Sequence, residues 1–401
     1  MRVLLSAYSC DPLAGSEPGV GFQTLLAAAS EHEVWLLSRE KNIEAVGRFL
    51  GGHQEHGSIH LVPLDLGRRE LSLKQRFSQV GMQWYYDRWQ RAAADLGQRL
   101  HAEVGFDLVH HVTFSSDWTR PGVGAVDTPF VWGPIGGGVE APPALVLSLG
   151  WKGAAIEVAR RFGRGAMRLR PSYRTAWATA DIVLVQNRET AALAPTAVRT
   201  DVLPHSTSID LPVGPPPGPR TKEIAVVGRL IPWKGGMLAL SAFRQVRDRE
   251  ASLTFFGSGP ERRRLERACA KWRLTDRVRF EGSLARTDLL KRVARAGALV
   301  HAAVHDESPL SVAEALSLGT PVVCLDRGGP PELLRQWDRS PGIAVATGSP
   351  AATARRLAAE VDRFLSDPPP LPAAPLAPRR SYAEMILDIY KQAQGKRAQG
   401  V

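Results

Sequence analysis

Asp306 and Glu314, separated by seven residues in the stretch VHDESPLSVAEALSLGTPVVCL, are the carboxylates whose surroundings say most about chemistry. The punctuation predicts a buried strand over residues 298–304, a loop over 305–307, a helix over 309–318 and a second strand over 321–325. Ser308 suits the N-cap, Pro309 the first helical position, where its missing N–H costs nothing, and Gly319 the left-handed residue that ends a helix. A helix opening at the carboxyl end of a parallel strand aims its unpaired N–H groups, here those of Leu310 and Ser311, into the crevice where such sheets bind ligands. That is a place for a phosphate. Asp306 then stands at the strand end and Glu314 about a turn and a half along the helix, where carboxylates can accept sugar hydroxyls. Taken alone, an Asp and a Glu at this spacing are more often solvated.

Two cations form the next constellation. GRLIPWKGG follows a predicted strand at 224–227 and holds Arg229 and Lys234 in one loop. A guanidinium grips two phosphate oxygens, whereas an ammonium acts as a compact point charge. FDLVHHVTF ends a strand on His110 and His111, and alternation lets only one of them point to a given face. Glycine-rich turns close several strands: AGSEPGVG near the start, PFVWGPIGGG with Gly136 and Gly137, GSGPE with Gly257 and Gly259, and EGSL with Gly282. Such glycines let a ligand or another backbone come close, or merely satisfy a tight turn.

These pieces need a scaffold. Strands predicted at residues 2–8, 33–38, 59–63, 106–114, 181–186, 224–227, 253–257 and 278–282, with helical segments between, give the alternation of doubly wound α/β sheets. At 401 residues the chain is too long for one ordinary core. The proline-rich run LPVGPPPGPRTK divides it into a first domain of residues 1–210, a linker of 211–222 and a second domain of 223–379, followed by a helix at 380–395. The composition, 44% apolar and 23% charged, is that of a globular protein, with no apolar run long enough to span a bilayer. Three scattered cysteines, Cys10, Cys269 and Cys324, fit neither disulfides nor zinc and suit a reducing cytoplasm. The charge of +11 admits nucleic acid, an anionic membrane or phosphorylated ligands, nucleic acid least, because no binding motif or stacked aromatic platform accompanies it. Residues 71–101 form a basic aromatic stretch, expected to be a helix or helix pair that packs on a sheet with snorkelling arginines or meets lipid headgroups; residues 141–174 form a second basic amphipathic stretch, expected to be helical. The second is expected on the acceptor side.

GRLIPWKGG, FFGSGPE, RVRFEGS and the acid pair with EALSLGTPVV, in that order, resemble the signature of glycosyltransferase family 4. Asp306 stands where that family has the first Glu of its two-acid motif, and Glu307 is adjacent for the same role. AGSEPGVG is similar to the family's first glycine loop, FDLVHHVTF to its fourth-strand histidine, and WGP-x-GGG to a string found in a subgroup of these enzymes. The resemblance covers nearly the whole chain and implies the GT-B fold, two facing Rossmann-like domains with a central cleft. It implies donor contacts from Gly15, Ser16, Gly228, Arg229, Lys234, Gly257, Gly259, Gly282, Asp306, Glu307, Pro309, Leu310, Ser311 and Glu314. His111, Gly136 and Gly137 fall on the acceptor side, and the catalytic set is His110, Asp306, Arg229 and Lys234, with His110 preferred as the residue three after Asp107.

The implied reaction is retaining transfer of a hexosyl group from a nucleoside-diphosphate sugar to an acceptor hydroxyl, with the departing phosphate taking the acceptor proton. No cofactor is implied. No Asp-x-Asp triplet occurs, so no metal is expected either. The expected partners are the nucleotide-sugar, an acceptor carbohydrate or glycolipid of the cell envelope, and an anionic membrane met peripherally from the cytoplasmic side, with no nucleic acid. A nucleotide-sugar epimerase or a non-catalytic sugar-nucleotide binder of the same fold is the alternative. A basic scaffold on membranes or nucleic acid, whose binding would fall steeply with salt, is a third.

Overall fold

The computed structural model describes residues 1–14, 16–51, 58–67, 69–71, 76, 78–114, 116–117, 119–208, 219–337 and 341–398. Gly15, Phe77 of the first aromatic stretch and linker residues 211–218 lie outside them. The chain divides into two compact units.

Unit 1 comprises Met1–Gly137, Gly165–Ser208 and Ser381–Val401. Its strands are β1 (Arg2–Ser6), β2 (Glu33–Ser38), β3 (Ile59–Pro63), β4 (Leu108–His111), β5 (Phe130–Ile135), β6 (Ile182–Val185) and β7 (Thr200–Val202), in the order β3-β2-β1-β4-β5-β6-β7. All pair in parallel. Helices cover both faces, so β4 and β6 are buried at every position and read as unbroken runs, not alternating ones. Leu5 and Leu25 pack with Ile386 and Tyr390 of the C-terminal helix, Tyr382–Ala398, on one face. Leu4 packs with Tyr85, Tyr86 and Trp89 of the helix Ser78–Val104 on the other. Those three rings are core, at most 1% exposed, whereas Trp84 of the same helix is 39% exposed.

Unit 2 comprises Gly138–Arg164 and Ile209–Arg380. Strands β8 (Glu223–Val227), β9 (Ser252–Phe256), β10 (Val278–Gly282), β11 (Ala298–His301), β12 (Val322–Leu325) and β13 (Gly342–Val345) form a parallel sheet in the order β10-β9-β8-β11-β12-β13. The direction of winding reverses between β8 and β11.

The unit boundary corrects the sequence-based division at Gly138–Arg164, expected in the first domain. Ala141, Leu145 and Leu149 are buried in the core formed by Leu230, Leu238 and Leu265, and burying each leucine contributes roughly 1.5–3 kcal/mol. Polar contacts tie the same segment down: Arg264 donates to the Ser148 and Leu149 carbonyls at 3.1 and 3.0 Å, and Arg327 to the Glu140 carbonyl at 3.0 Å. The three cysteines are free and buried. Among the described residues no helix is long and apolar enough to cross a membrane.

A candidate active site in unit 2

Strands β8 and β11 are neighbours whose crossovers lead to opposite sides of the sheet, so the loops at their carboxyl ends part and leave room for a ligand. The loop after β8 is laid directly on the chain leaving β11. Gly235 adopts φ 73°, and a Cβ there would lie 1.9 Å from the Ala302 carbonyl oxygen, so only glycine permits the approach. The Val304 N–H donates to the Trp233 carbonyl at 2.9 Å. This pairing ends β11 at His301, three residues before the expected end of the strand. It also brings Lys234 to Asp306, Nζ to Oδ2, at 2.5 Å, with the side chains 25% and 13% exposed.

His301, the last residue of β11, places Nε2 3.0 Å from the same Asp306 oxygen, out of line for a hydrogen bond. Burial pushes the Asp306 carboxyl up, but contact with His301 and the Lys234 ammonium outweigh it and hold the group well below the usual carboxylate range. The loop after β12 supports Asp306 from behind. The Gly329 N–H donates to the Asp306 carbonyl at 3.0 Å, and a Cβ on Gly328 or Gly329 would lie 2.4 Å from the Asp306 or 2.1 Å from the Glu307 carbonyl oxygen.

The following helix, Leu310–Ser317, starts one residue later than expected. Pro309 takes the cap position with extended backbone and no side-chain cap, its carbonyl accepting from Val312 and Ala313 at 3.1 and 3.3 Å. Ser308 is therefore outside the helix and not its N-cap. Leu310 and Ser311 are its first two residues, whose N–H groups precede the intrahelical ladder. Glu314 is buried, and its Oε1 accepts from Arg286 Nε at 2.9 Å. Burial raises this carboxyl above its ordinary value, with Arg286 opposing.

Arg229 is exposed and, among the described residues, has no ion-pair partner. Beside it Gly228 adopts φ 140° with nothing within 4 Å of where a Cβ would stand, so this edge of the loop is open. Gly257 and Gly259 are different: a Cβ on them would meet the Gly228 and Leu230 carbonyl oxygens at 2.0 and 2.3 Å. These two glycines let the loops after β8 and β9 touch, and that is the contact seen. Gly282, at φ 76°, accepts from the Gly257 N–H at 2.7 Å.

Arg160, from the helix Gly150–Arg168, donates to His305 Nε2 at 2.8 Å. The imidazole must accept there and so is neutral; burial first, then the charges of Arg160 and Arg164, bring its pKa down to about 3. Glu307 Oε1 lies 4.0 Å from the same nitrogen. His301, Arg286 and Arg160 were missed by sequence reasoning. His301 and Arg286 end or begin predictable elements, whereas Arg160 is 145 residues away from its partner and carries no local signal.

The unit 1 candidates do not gather. His110 and His111 point to opposite faces of the sheet, as strand alternation requires, and both are buried. His110 Nε2 donates to the Gly133 carbonyl at 2.9 Å and Nδ1 meets the Tyr390 hydroxyl at 2.8 Å. His111 meets Tyr86 and Ser6 hydroxyls, each at 3.0 Å. Both ring nitrogens of His110 are thus engaged, and the residue has no exposed surface. Gly136 and Gly137 are buried as well. Gly136 pairs with Ser116, and a Cβ on Gly137 would lie 2.3 Å from Asp117 Oδ1, so these glycines are packed, not bare. Ser16 begins the helix Ser16–Ala29.

Residues 215–375 match the family model described as Glycosyl transferases group 1. The chain is 33% identical over 169 residues to a 2-deoxystreptamine glucosyltransferase of Streptomyces kanamyceticus, covering 42% of this chain and 41% of that one. It is 33% identical over 165 residues to a glycogen synthase of Mycobacterium tuberculosis (strain CDC 1551 / Oshkosh), 37% of this chain and 40% of that one. It thus spans about two fifths of the length of the curated relatives it matches. Whole-chain likeness is found among solved structures. Sucrose-phosphate synthase from Thermosynechococcus elongatus superposes with TM-score 0.55 at 18% identity over 98% of both chains. Anabaena HepE in complex with UDP gives 0.52 at 16% over 100% of this chain and 99% of that one. The fold is that of GT-B glycosyltransferases.

Proposed function

We propose that the protein is a retaining glycosyltransferase that moves a sugar from a nucleoside-diphosphate sugar to an acceptor hydroxyl. The carrying observation is the Lys234–Asp306 pair at the winding reversal of unit 2, inside the region matched by the family model and flanked by the exposed Arg229. Lys234 spends one of its three N–H donors on Asp306 and has two to offer phosphate oxygens. Arg229 offers a bidentate fork, and the N–H groups of Leu310 and Ser311 a positive helix end. Together these absorb the charge that grows on the departing diphosphate, without a call on a divalent ion. Asp306, kept ionised by its neighbours, orients a sugar hydroxyl; Glu314, steadied by Arg286, offers its second oxygen to a ribose. Front-face attack needs no strong enzymic base, because the departing phosphate takes the acceptor proton.

On this reading the acceptor is a carbohydrate or glycolipid of the cell envelope, reached from the cytoplasmic face. Support for the donor comes from HepE, whose structures hold UDP and UDP-glucose. A thermal-shift panel of UDP-, GDP- and ADP-sugars, followed by product analysis with and without chelator, tests the proposal. A bound donor at 100 times its Kd adds about 2.7 kcal/mol. No shift from any donor, or loss of turnover in chelator, overturns it.

A further inference from the structure

The helix Gly150–Arg168 is turned inside out. Trp151, Ala155, Val158 and Phe162 recur at steps of four, three and four, one face of a helix, and such a stripe ordinarily faces a core. Here it faces water: Trp151 is 78%, Phe162 76% and Val158 46% exposed, and Leu147 in the preceding turn 84%. The opposite face is polar and docked. Glu157 accepts from the Ala141 N–H at 2.9 Å, Arg164 donates to the Val139 carbonyl at 2.9 Å, and Arg160 holds His305. Hydrogen bonds thus fasten the helix to unit 2 and, among the described residues, leave its apolar face without protein cover. A patch of this kind marks an interaction surface.

Charge selects the occupant. The helix carries five cations and one acid. The acid, Glu157, is buried, Arg160 and Arg164 belong to the docked face, and Arg161 donates to the Ala141 carbonyl, which leaves Lys152 as the cation shown at the stripe. The outward side therefore presents no carboxylate to repel anionic headgroups, while Lys152 stands beside Trp151 with its ammonium 5.3 Å from the ring centre. An aromatic and aliphatic stripe with a lysine at its edge and no helix carboxylate facing outward is suited to lie flat in an anionic bilayer interface. We propose that the outward face of Gly150–Arg168 is a docking surface for an anionic membrane, with Trp151 and Phe162 entering the acyl boundary and Lys152 at the phosphate level. The helix is already formed and anchored by its polar side, so docking orders little new chain. This inference stands independently of the transferase reading.

The test is co-sedimentation of the full chain with vesicles of phosphatidylcholine alone and of phosphatidylcholine mixed with phosphatidylglycerol. The protein should bind the mixed vesicles. Trp151→Ser with Phe162→Glu should weaken binding by roughly tenfold or more, with melting temperature unchanged. Lys152→Glu should weaken it most at low salt. Leu13→Glu, at a residue 91% exposed in unit 1, should leave it unaltered. Failure of the native chain to bind mixed vesicles, or equal binding by the double variant, overturns the proposal. So does a dimer in sedimentation velocity that the double variant splits, since a second copy would then cover the stripe.

Discussion

Acidification should weaken unit 1 through its two buried strand-end histidines, by an amount the structure sets. His110 and His111 are fully enclosed and neutral, and burial lowers their pKa values from the ordinary 6.5 to about 4 and about 3. The folded state therefore binds fewer protons than the unfolded one. The stability tied to each neutral ring is complete above the ordinary value and is lost as pH falls toward the folded value. At about pH 5 the unfolded histidines are almost wholly charged and the folded ones are not, so each costs about 2 kcal/mol relative to about pH 7.5, and the pair roughly 4 kcal/mol. At that pH the cost depends on the unfolded value alone, provided the folded ones lie clearly lower. Urea titrations at the two pH values, followed through the fluorescence of the buried Trp89, Trp132 and Trp177, measure it. His111→Gln, whatever its own stability, should show a pH dependence smaller by about 2 kcal/mol. A native protein whose stability changes by less than about 1 kcal/mol between the two pH values, or a variant with an undiminished slope, would refute the reasoning.

Three further outcomes follow from unit 2. Lys234→Ala should cost on the order of 2–4 kcal/mol of transition-state stabilisation, a loss of roughly 30- to 1000-fold in kcat/KM; native turnover in a steady-state assay contradicts the site. Asp306→Asn should destabilise at neutral pH, and its deficit should shrink as pH falls below the ordinary carboxylate value of 3.8, because stability from a depressed carboxyl is present above that value and lost below it; a deficit constant with pH in chemical denaturation speaks against the ion pair. Gly235→Ala, which drives a methyl into the Ala302 carbonyl, should cost on the order of 2–4 kcal/mol. Gly228→Ala, strained but facing open space, should cost about 1 kcal/mol, and equal melting losses for the two would remove the argument that the loop rests on β11.

Much of this was legible in the sequence because it is local. The parallel strands announce themselves as short apolar runs such as LVHH at β4, IVLV at β6 and ALVH at β11, and the loop with Lys234 and the loop with Asp306 each follow a strand of the second half. What was not legible depends on contacts between distant positions. Nothing near His110 says that Tyr390 will fill its second hydrogen bond, 280 residues on. Strand β11 stops three residues short because Trp233, in another loop, takes the Val304 N–H. The helix Gly150–Arg168 misled most: its apolar period is plain, but periodicity reports that a face exists and not which side the fold covers. Here hydrogen bonds from Glu157 and Arg164 won that side for the polar residues.

The chain passes between the two units four times, after Gly137, Arg164, Ser208 and Arg380, and the second unit borrows a piece of the first half to finish its core. A fragment excised at the apparent linker would lack Leu145 and Leu149, strip Arg264 of two carbonyl acceptors and unseat His305. Anyone wishing to graft, shuffle or express unit 2 by itself should carry residues 138–164 along, joined through a new connection, because the unit is discontinuous in the gene.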